Sequence, residues 1–115
     1  MAIYPDEKRA MSFLALESVA NINEGYSRCF KVARQQLLLV HSGGVTKLIP
    51  AQCPHENYSL KKATLDNGKI RCRKHGIAFC LDTGQAVGGE VVASVPGLQP
   101  ITLIEQNGYL GVLTD

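Results

Sequence analysis

Apolar positions along this chain gather into short runs, each closed by residues that favour turns, and this pattern predicts strands rather than helices. Phe13 to Leu16 begins the first strand. Glu24-Gly25 then turns the chain into Tyr26 to Val32, where Tyr26, Arg28, Phe30 and Val32 mix apolar and polar residues without clean alternation. Leu37 to Val40 is a solid apolar run. Ser42-Gly43-Gly44 predicts a turn, and Val45 to Ile49 the returning strand of a hairpin that delivers the chain to Cys53. Further on, Asp66-Asn67-Gly68 turns into Lys69 to Cys72, Asp82-Thr83-Gly84 follows Ile77 to Leu81, and Asn107-Gly108 joins Ile101 to Glu105 with Tyr109 to Leu113. Strands this short and this regularly punctuated predict an all-β fold, an antiparallel sandwich or barrel. Pro5 to Ala20 competes as a helix, with Met11 and Leu14 at helical spacing. Ser18 occupies the next place on that face, so the stripe is short and the reading is an N-terminal turn or irregular lead.

At 115 residues the chain has room for one domain with a core and no second catalytic module. Hydrophobic residues make up 45% and the formal net charge is +2, which selects no class of partner. No basic stripe interleaved with aromatics appears, so nucleic acid is not an expected partner. Residues 1–20 contain Asp6, Glu7 and Glu17, and their longest apolar run, Phe13 to Leu16, is too short for a signal peptide or a membrane span. A cytoplasmic location with no membrane contact is the expectation.

Candidate chemistry is concentrated between Cys53 and Phe79. Cys53-Pro54-His55 is followed by sixteen residues and then by Cys72-Arg73-Lys74-His75-Gly76. Each short loop offers one thiol and one imidazole, four ligands in all. A diiron centre with two inorganic sulfides needs two ligands per iron, and two histidines on one iron with two cysteines on the other is one way to supply them. A zinc ion held by the same four side chains in a structural module is the alternative, although common zinc motifs group Cys with Cys and His with His. Pro54 fixes its backbone dihedral between the first two ligands, and Gly76 permits conformations that a side chain would hinder. Leu60, Ile77 and Phe79 are positioned in sequence to give the centre an apolar side or simply to pack the core. Of the four cysteines, Cys29 and Cys80 fall outside this motif and are expected to be small buried residues rather than a disulfide.

The segment from Cys53 to Gly84 resembles the cluster-binding motif of Rieske proteins. Beyond the ligands, Ser59-Leu60, Thr64-Leu65-Asp66, Gly68, Ile70, His75-Gly76, Ala78-Phe79 and Thr83-Gly84 are similar to the small ferredoxins of bacterial ring-hydroxylating oxygenase systems. The resemblance implies one [2Fe-2S] cluster in a subdomain formed by two loops. Cys53 and Cys72 would hold the buried iron, and His55 and His75 the outer one. It implies a single domain over residues 12–115, with residues 1–11 an extension of no assigned role. It also implies a one-electron carrier, not itself an enzyme, that passes electrons from a reductase to a terminal oxygenase or another oxidoreductase. Small subunits of larger reductases, such as nitrite reductases, are a variant of that role. An oxygenase would need a mononuclear iron site of two histidines and a carboxylate, and only His41 lies outside the motif. His41 itself reads as a strand-end or turn residue.

The chain departs from the family pattern at Arg73, where a proline commonly follows the cysteine, and at Ala63, where glycine is frequent. Respiratory Rieske proteins add a loop-to-loop disulfide and a hydroxyl beside the His-Gly, and the corresponding places here hold Tyr58, Lys74 and Ile77. The potential is therefore expected in the lower part of the roughly −150 to +300 mV span of such centres. Lys69, Arg71, Arg73 and Lys74 crowd the second loop, where positive charge favours reduction and could steer an acidic partner. Tyr109, after Asn107-Gly108, reads as a cross-strand residue. Pro96 and Pro100 bracket Gly97-Leu98-Gln99, and in similar proteins a proline-containing segment here packs near the cluster.

Overall fold

The computed structural model describes residues 12–53, 59–73, 76–87 and 96–114. Ten strands run in chain order: β1 (Ser12–Ser18), β2 (Ser27–Val32), β3 (Gln35–Ser42), β4 (Val45–Pro50), β5 (Thr64–Asp66), β6 (Lys69–Arg71), β7 (Ala78–Cys80), β8 (Ala86–Val87), β9 (Ile104–Gln106) and β10 (Tyr109–Thr114). They form three antiparallel sheets in the orders β1-β10-β9, β2-β3-β4 and β5-β6-β7-β8. The expected all-β antiparallel architecture is what the chain adopts. Of the helical competitor Pro5 to Ala20, residues 5–11 lie outside the described residues, and the rest is not an α-helix: Ser12–Ser18 is extended and only Val19–Asn21 coils, as one 3-10 turn.

The contacts divide into two compact units. Residues 1–21 and 102–115 make up the first, residues 22–101 the second. In the first unit, β1 pairs along the length of β10, with the register shifting between Ala15 and Glu17. Such a shift lets one residue bulge and bends the strand. Glu17 is buried, and its carboxylate accepts hydrogen bonds from the Ser18 amide (3.1 Å) and the Asn21 side chain (2.8 Å), which offset the cost of removing a charge from water. Tyr109 pairs with Gln106 and Ser18, a cross-strand residue as expected. The strand expected over Ile101 to Glu105 is shorter than its sequence run. Ile101 instead bridges Leu48 in the second unit, and β9 begins at Ile104.

The second unit holds the core. Leu37, Leu38, Leu39 and Val40 of β3 are all buried, so this central strand of its sheet has two covered faces. That explains why the run is unbroken rather than alternating. Leu38, Val40 and Ile49 pack in one cluster with Leu60, Ile70, Ile77, Phe79, Leu81 and Leu98, which joins the β2-β3-β4 sheet to the β5-β6-β7-β8 sheet. Each such side chain contributes about 1.5–3 kcal/mol on burial.

A polar clamp joins the same two sheets at one end. Ser42 is fully buried; its Oγ donates to Glu24 Oε2 (3.0 Å) and accepts from the Gly68 amide (3.0 Å). Glu24 Oε1 also accepts from the Gly43 amide (2.9 Å). The β3-β4 and β5-β6 turns meet so closely that a Cβ on Gly43 would lie 2.7 Å from the Gly68 nitrogen. Both turns are two-residue hairpins with positive φ at both positions, as are Ala33-Arg34 and Asn107-Gly108. This is the turn geometry that matches strand twist and favours glycine in second place.

The β7-β8 turn sets the environment of one thiol. Gly84 donates to the Cys80 carbonyl (2.6 Å) and Cys80 to that of Gln85 (2.9 Å), closing residues 80–85. The Thr83 side chain and amide hydrogen-bond the Cys80 sulfur and lower its pKa, with desolvation opposing. Cys29 and Cys80 are in no disulfide, as expected, and both are partly rather than fully buried. They lie on β2 and β7 at positions that only border the core.

Two outcomes follow from the clamp and the turn. Ser42→Ala leaves the buried partners of that hydroxyl unmatched and should cost about 1–3 kcal/mol, read as a lower urea midpoint with an unchanged slope. Thr83→Val removes the side-chain hydrogen bond to the Cys80 thiolate. The pH at which Cys80 is half-alkylated by iodoacetamide, followed by peptide mass mapping, should then move up and its neutral-pH reaction slow; an unmoved profile would assign the lowering elsewhere.

Candidate metal centre

Both motif cysteines stand at the ends of core strands. Cys53 lies three residues beyond the end of β4, and Cys72 directly follows β6. Each is 1% exposed, in no disulfide, and part of the same buried cluster with Ala51, Leu60 and Ile77. Their loops are closed at the base by backbone. Leu60 donates to the Ala51 carbonyl (2.8 Å) and Gln52 bridges Ser59, which ties off the first loop. Cys72 donates to the Ile77 carbonyl (2.8 Å) and accepts from the Gly76 amide (3.0 Å), which ties off the second. Gly76 adopts φ +70, the left-handed conformation that its lack of a side chain permits.

His55 and His75 lie outside the described residues, as do Pro54, Tyr58 and Lys74. The structure therefore buries the two expected thiols in one core cluster and leaves the two imidazoles to the sequence. The thiol pair fits a thiolate-ligated metal group. Thiolates buried in an apolar cluster are costly alone and are stabilised when a metal shares their charge. Leu60, Ile77 and Phe79 are buried around the loop bases, so core packing and an apolar side for the centre coincide in the same residues. Ala63, where similar proteins often have glycine, is half-buried against this cluster and donates to the Leu60 carbonyl (3.0 Å).

Three features were not legible as site residues. The Arg71 guanidinium donates to the Gly76 carbonyl, so this cation holds the second loop as well as contributing charge. Lys69, grouped with it in sequence, pairs in register with Asp66 and Cys80 at the opposite end of β6. The segment between Pro96 and Pro100 enters the core through Leu98, whose amide donates to the Gly84 carbonyl (2.6 Å). That approach needs glycine on both sides, because a Cβ on Gly97 would lie 2.8 Å from the Gly84 oxygen and one on Gly84 2.9 Å from the Leu98 oxygen. Paired prolines marked the segment, but nothing local in sequence marked its contact. His41 ends no ligand set; its Nδ1 hydrogen-bonds Thr46 Oγ1 (2.6 Å) across the β3-β4 hairpin, the strand-end role expected.

Among known proteins, residues 12–99 match the family model of the Rieske [2Fe-2S] domain. Over 66 residues the chain is 32% identical to apoptosis-inducing factor 3 of Mus musculus and of Homo sapiens, a stretch that is 57% of this chain and 11% of those longer proteins. Its fold is similar to that of the Sphingomonas yanoikuyae B1 ferredoxin, with a TM-score of 0.75 at 20% identity, covering 90% of this chain and 100% of that one. It is likewise similar to a chain in the complex of reduced oxygenase and oxidized ferredoxin in carbazole 1,9a-dioxygenase, with a TM-score of 0.73 at 24% identity over 87% and 91% of the two chains. With the family match spanning both buried cysteines and most of the sequence, the chain belongs to the Rieske [2Fe-2S] domain family, whose cofactor is one [2Fe-2S] cluster.

Proposed function

We propose that this chain is a one-electron carrier, taking electrons from a reductase and delivering them to a terminal oxygenase or another oxidoreductase. The observation that carries this reading is the two buried cysteines, in no disulfide, at the closed bases of two loops inside the family match. Cys53 and Cys72 would hold one iron and His55 and His75 the other. When bound, the cluster supplies a one-electron couple. The chain's own residues supply the rest. Leu60, Ile77, Phe79 and Leu98 keep water from the thiolate side, Arg71 holds the second loop through Gly76, and cations on that loop favour the reduced state. The fold is shared with proteins described as ferredoxins, one of them the ferredoxin of carbazole 1,9a-dioxygenase from Nocardioides aromaticivorans IC177, which supports the same role here. His41, the one histidine outside the motif, is engaged through Nδ1 with Thr46 across the β3-β4 hairpin. No helix among the described residues is long and apolar enough to cross a membrane.

A second reading stays within electron transfer. In the curated relatives the matched stretch is 11% of a much longer chain, which favours a domain working in lasting attachment to a larger oxidoreductase. Stoichiometric copurification with a large subunit separates this from a diffusing carrier.

Electron paramagnetic resonance of the protein as expressed, before and after dithionite, tests the assignment. A signal that appears only on reduction, with the low average g value of a histidine-ligated [2Fe-2S] centre, is the expected result. In His75→Cys, which leaves three thiolates and one imidazole, that signal should lose its two-histidine character and the potential should fall. An unaltered spectrum would remove His75 from the ligand set, and silence in both states with stoichiometric zinc would replace the electron carrier by a structural module.

A further inference from the structure

The second unit is charged unevenly along its strands. Residues 22–101 contain ten lysines and arginines against five acids. Strand registers place most of them. At one end the Ser42 clamp joins the β3-β4 and β5-β6 turns; at the other, Leu60 bonds Ala51, and Cys53 and Cys72 leave β4 and β6. The described acids are all at the clamp end. Glu24 bonds Ser42, Asp66 opens the β5-β6 turn, and Asp82 follows Leu81, whose amide donates to the Gly68 carbonyl. The cysteine end carries cations: Lys31 pairs with Gln36 at the mouth of the β2-β3 turn, Arg34 is in that turn, Lys61 and Lys62 follow Leu60, and Arg71 and Arg73 flank Cys72. All six are exposed. Glu56 and Glu90 lie outside the described residues.

Arg34 is held there against local preference. Among the described two-residue hairpin turns, Gly44, Gly68 and Gly108 take the second position at φ +81, +80 and +83, whereas in Ala33-Arg34 that place goes to arginine at φ +72. Side chains pay for this conformation and glycine does not. Strain kept at a particular residue calls for a role beyond the turn. Arg34 also lines a cavity of about 280 Å³ with Gln35, Gln36, Pro50, Ala51 and Gln52. The lining offers a guanidinium and three side-chain amides and contains no acid. Guanidinium binds a carboxylate through two parallel hydrogen bonds, and carboxamides supply further donors.

We propose that the cysteine end of residues 22–101 is a cationic docking face for an acidic redox protein, and that the Arg34 cavity is its socket for a partner carboxylate. This rests on the electron-carrier reading. It identifies the partner surface by charge: the face steers an acidic protein toward the cluster loops, and the pairing of Arg34 with a carboxylate fixes its orientation.

The reduced holoprotein is tested in stopped flow with two outer-sphere oxidants, each taking one electron from the cluster: anionic hexacyanoferrate(III), which becomes hexacyanoferrate(II), and cationic tris(phenanthroline)cobalt(III), which becomes the cobalt(II) complex. Polyglutamate serves as an acidic polypeptide competitor. In the wild type, hexacyanoferrate should react faster at low than at high ionic strength, and polyglutamate should slow it. Arg34→Gly should slow that reaction several-fold at low salt, with the difference vanishing at high salt. It should also weaken polyglutamate inhibition, speed the cobalt reaction and raise the melting temperature. Arg34→Lys should keep the hexacyanoferrate rate while losing part of the polyglutamate inhibition, because an ammonium does not fork onto a carboxylate. Lys69→Gln, at the clamp end, should change neither. An Arg34→Gly protein that shows the cluster signal but reacts as the wild type does, or a Lys69→Gln effect of equal size, overturns the docking face alone. Absence of the cluster signal from the wild type overturns the carrier reading and this proposal with it.

Discussion

A buried hydroxyl cannot be left without partners in an apolar surround, and Ser42 meets that constraint by binding two turns at once. Its oxygen takes the Gly68 amide and gives its proton to Glu24, which also holds the Gly43 amide. Because Ser42 belongs to β3 and Gly68 to the β5-β6 turn, the contact sets one end of the two sheets of residues 22–101 against each other. The registers then leave no freedom at the other end. Pro50 sits opposite Leu37 and Arg71 opposite Thr64, so the chain leaves β4 and β6 toward the two cysteines from fixed positions.

Burial of those cysteines joins stability to chemistry. The side chains that pack against them, Leu60, Ile77 and Leu98 among others, are the same that keep solvent from the thiolate side. A core of this kind tolerates little loosening, since a lost methylene near the loop bases changes both the packing and the dielectric around the ligands. Backbone closure at residues 51–60 and 72–77 confines each loop without using the side chains that ligation needs. Arg71 adds a side-chain tie to the second loop through Gly76.

Charge is arranged along the same axis. Acids are used where they hold turns together, as Glu24 does, while the end that carries the cysteines has cations exposed on several different elements. Lysines and arginines scattered through the sequence thus become one face only after the strands pair. The Ala33-Arg34 turn belongs to that face and departs from the glycine rule of its counterparts, a local cost accepted in the one turn where a cation would meet a partner.

The candidate ligand set and the strand punctuation were legible in the sequence because both are local. Cys53, His55, Cys72 and His75 declare themselves by spacing, and Gly43-Gly44, Asn67-Gly68 and Asn107-Gly108 by the φ their turns require. Ala33-Arg34 carried no such mark, since neither residue favours the conformation it adopts. That Cys29 and Cys80 are only partly buried was also hidden, because apolar character alone does not say which core-bordering positions receive full cover. Lys69 and Arg71 are two residues apart in sequence yet belong to opposite ends of a short strand. The sequence by itself determined the family, the cofactor's candidate ligands and the all-β class, all of which depend on residue type and near-neighbour spacing. Only the tertiary structure decided which loops the Ser42 clamp joins, where Leu98 enters the core and which cations share a face, because those depend on strand registers that bring distant residues together.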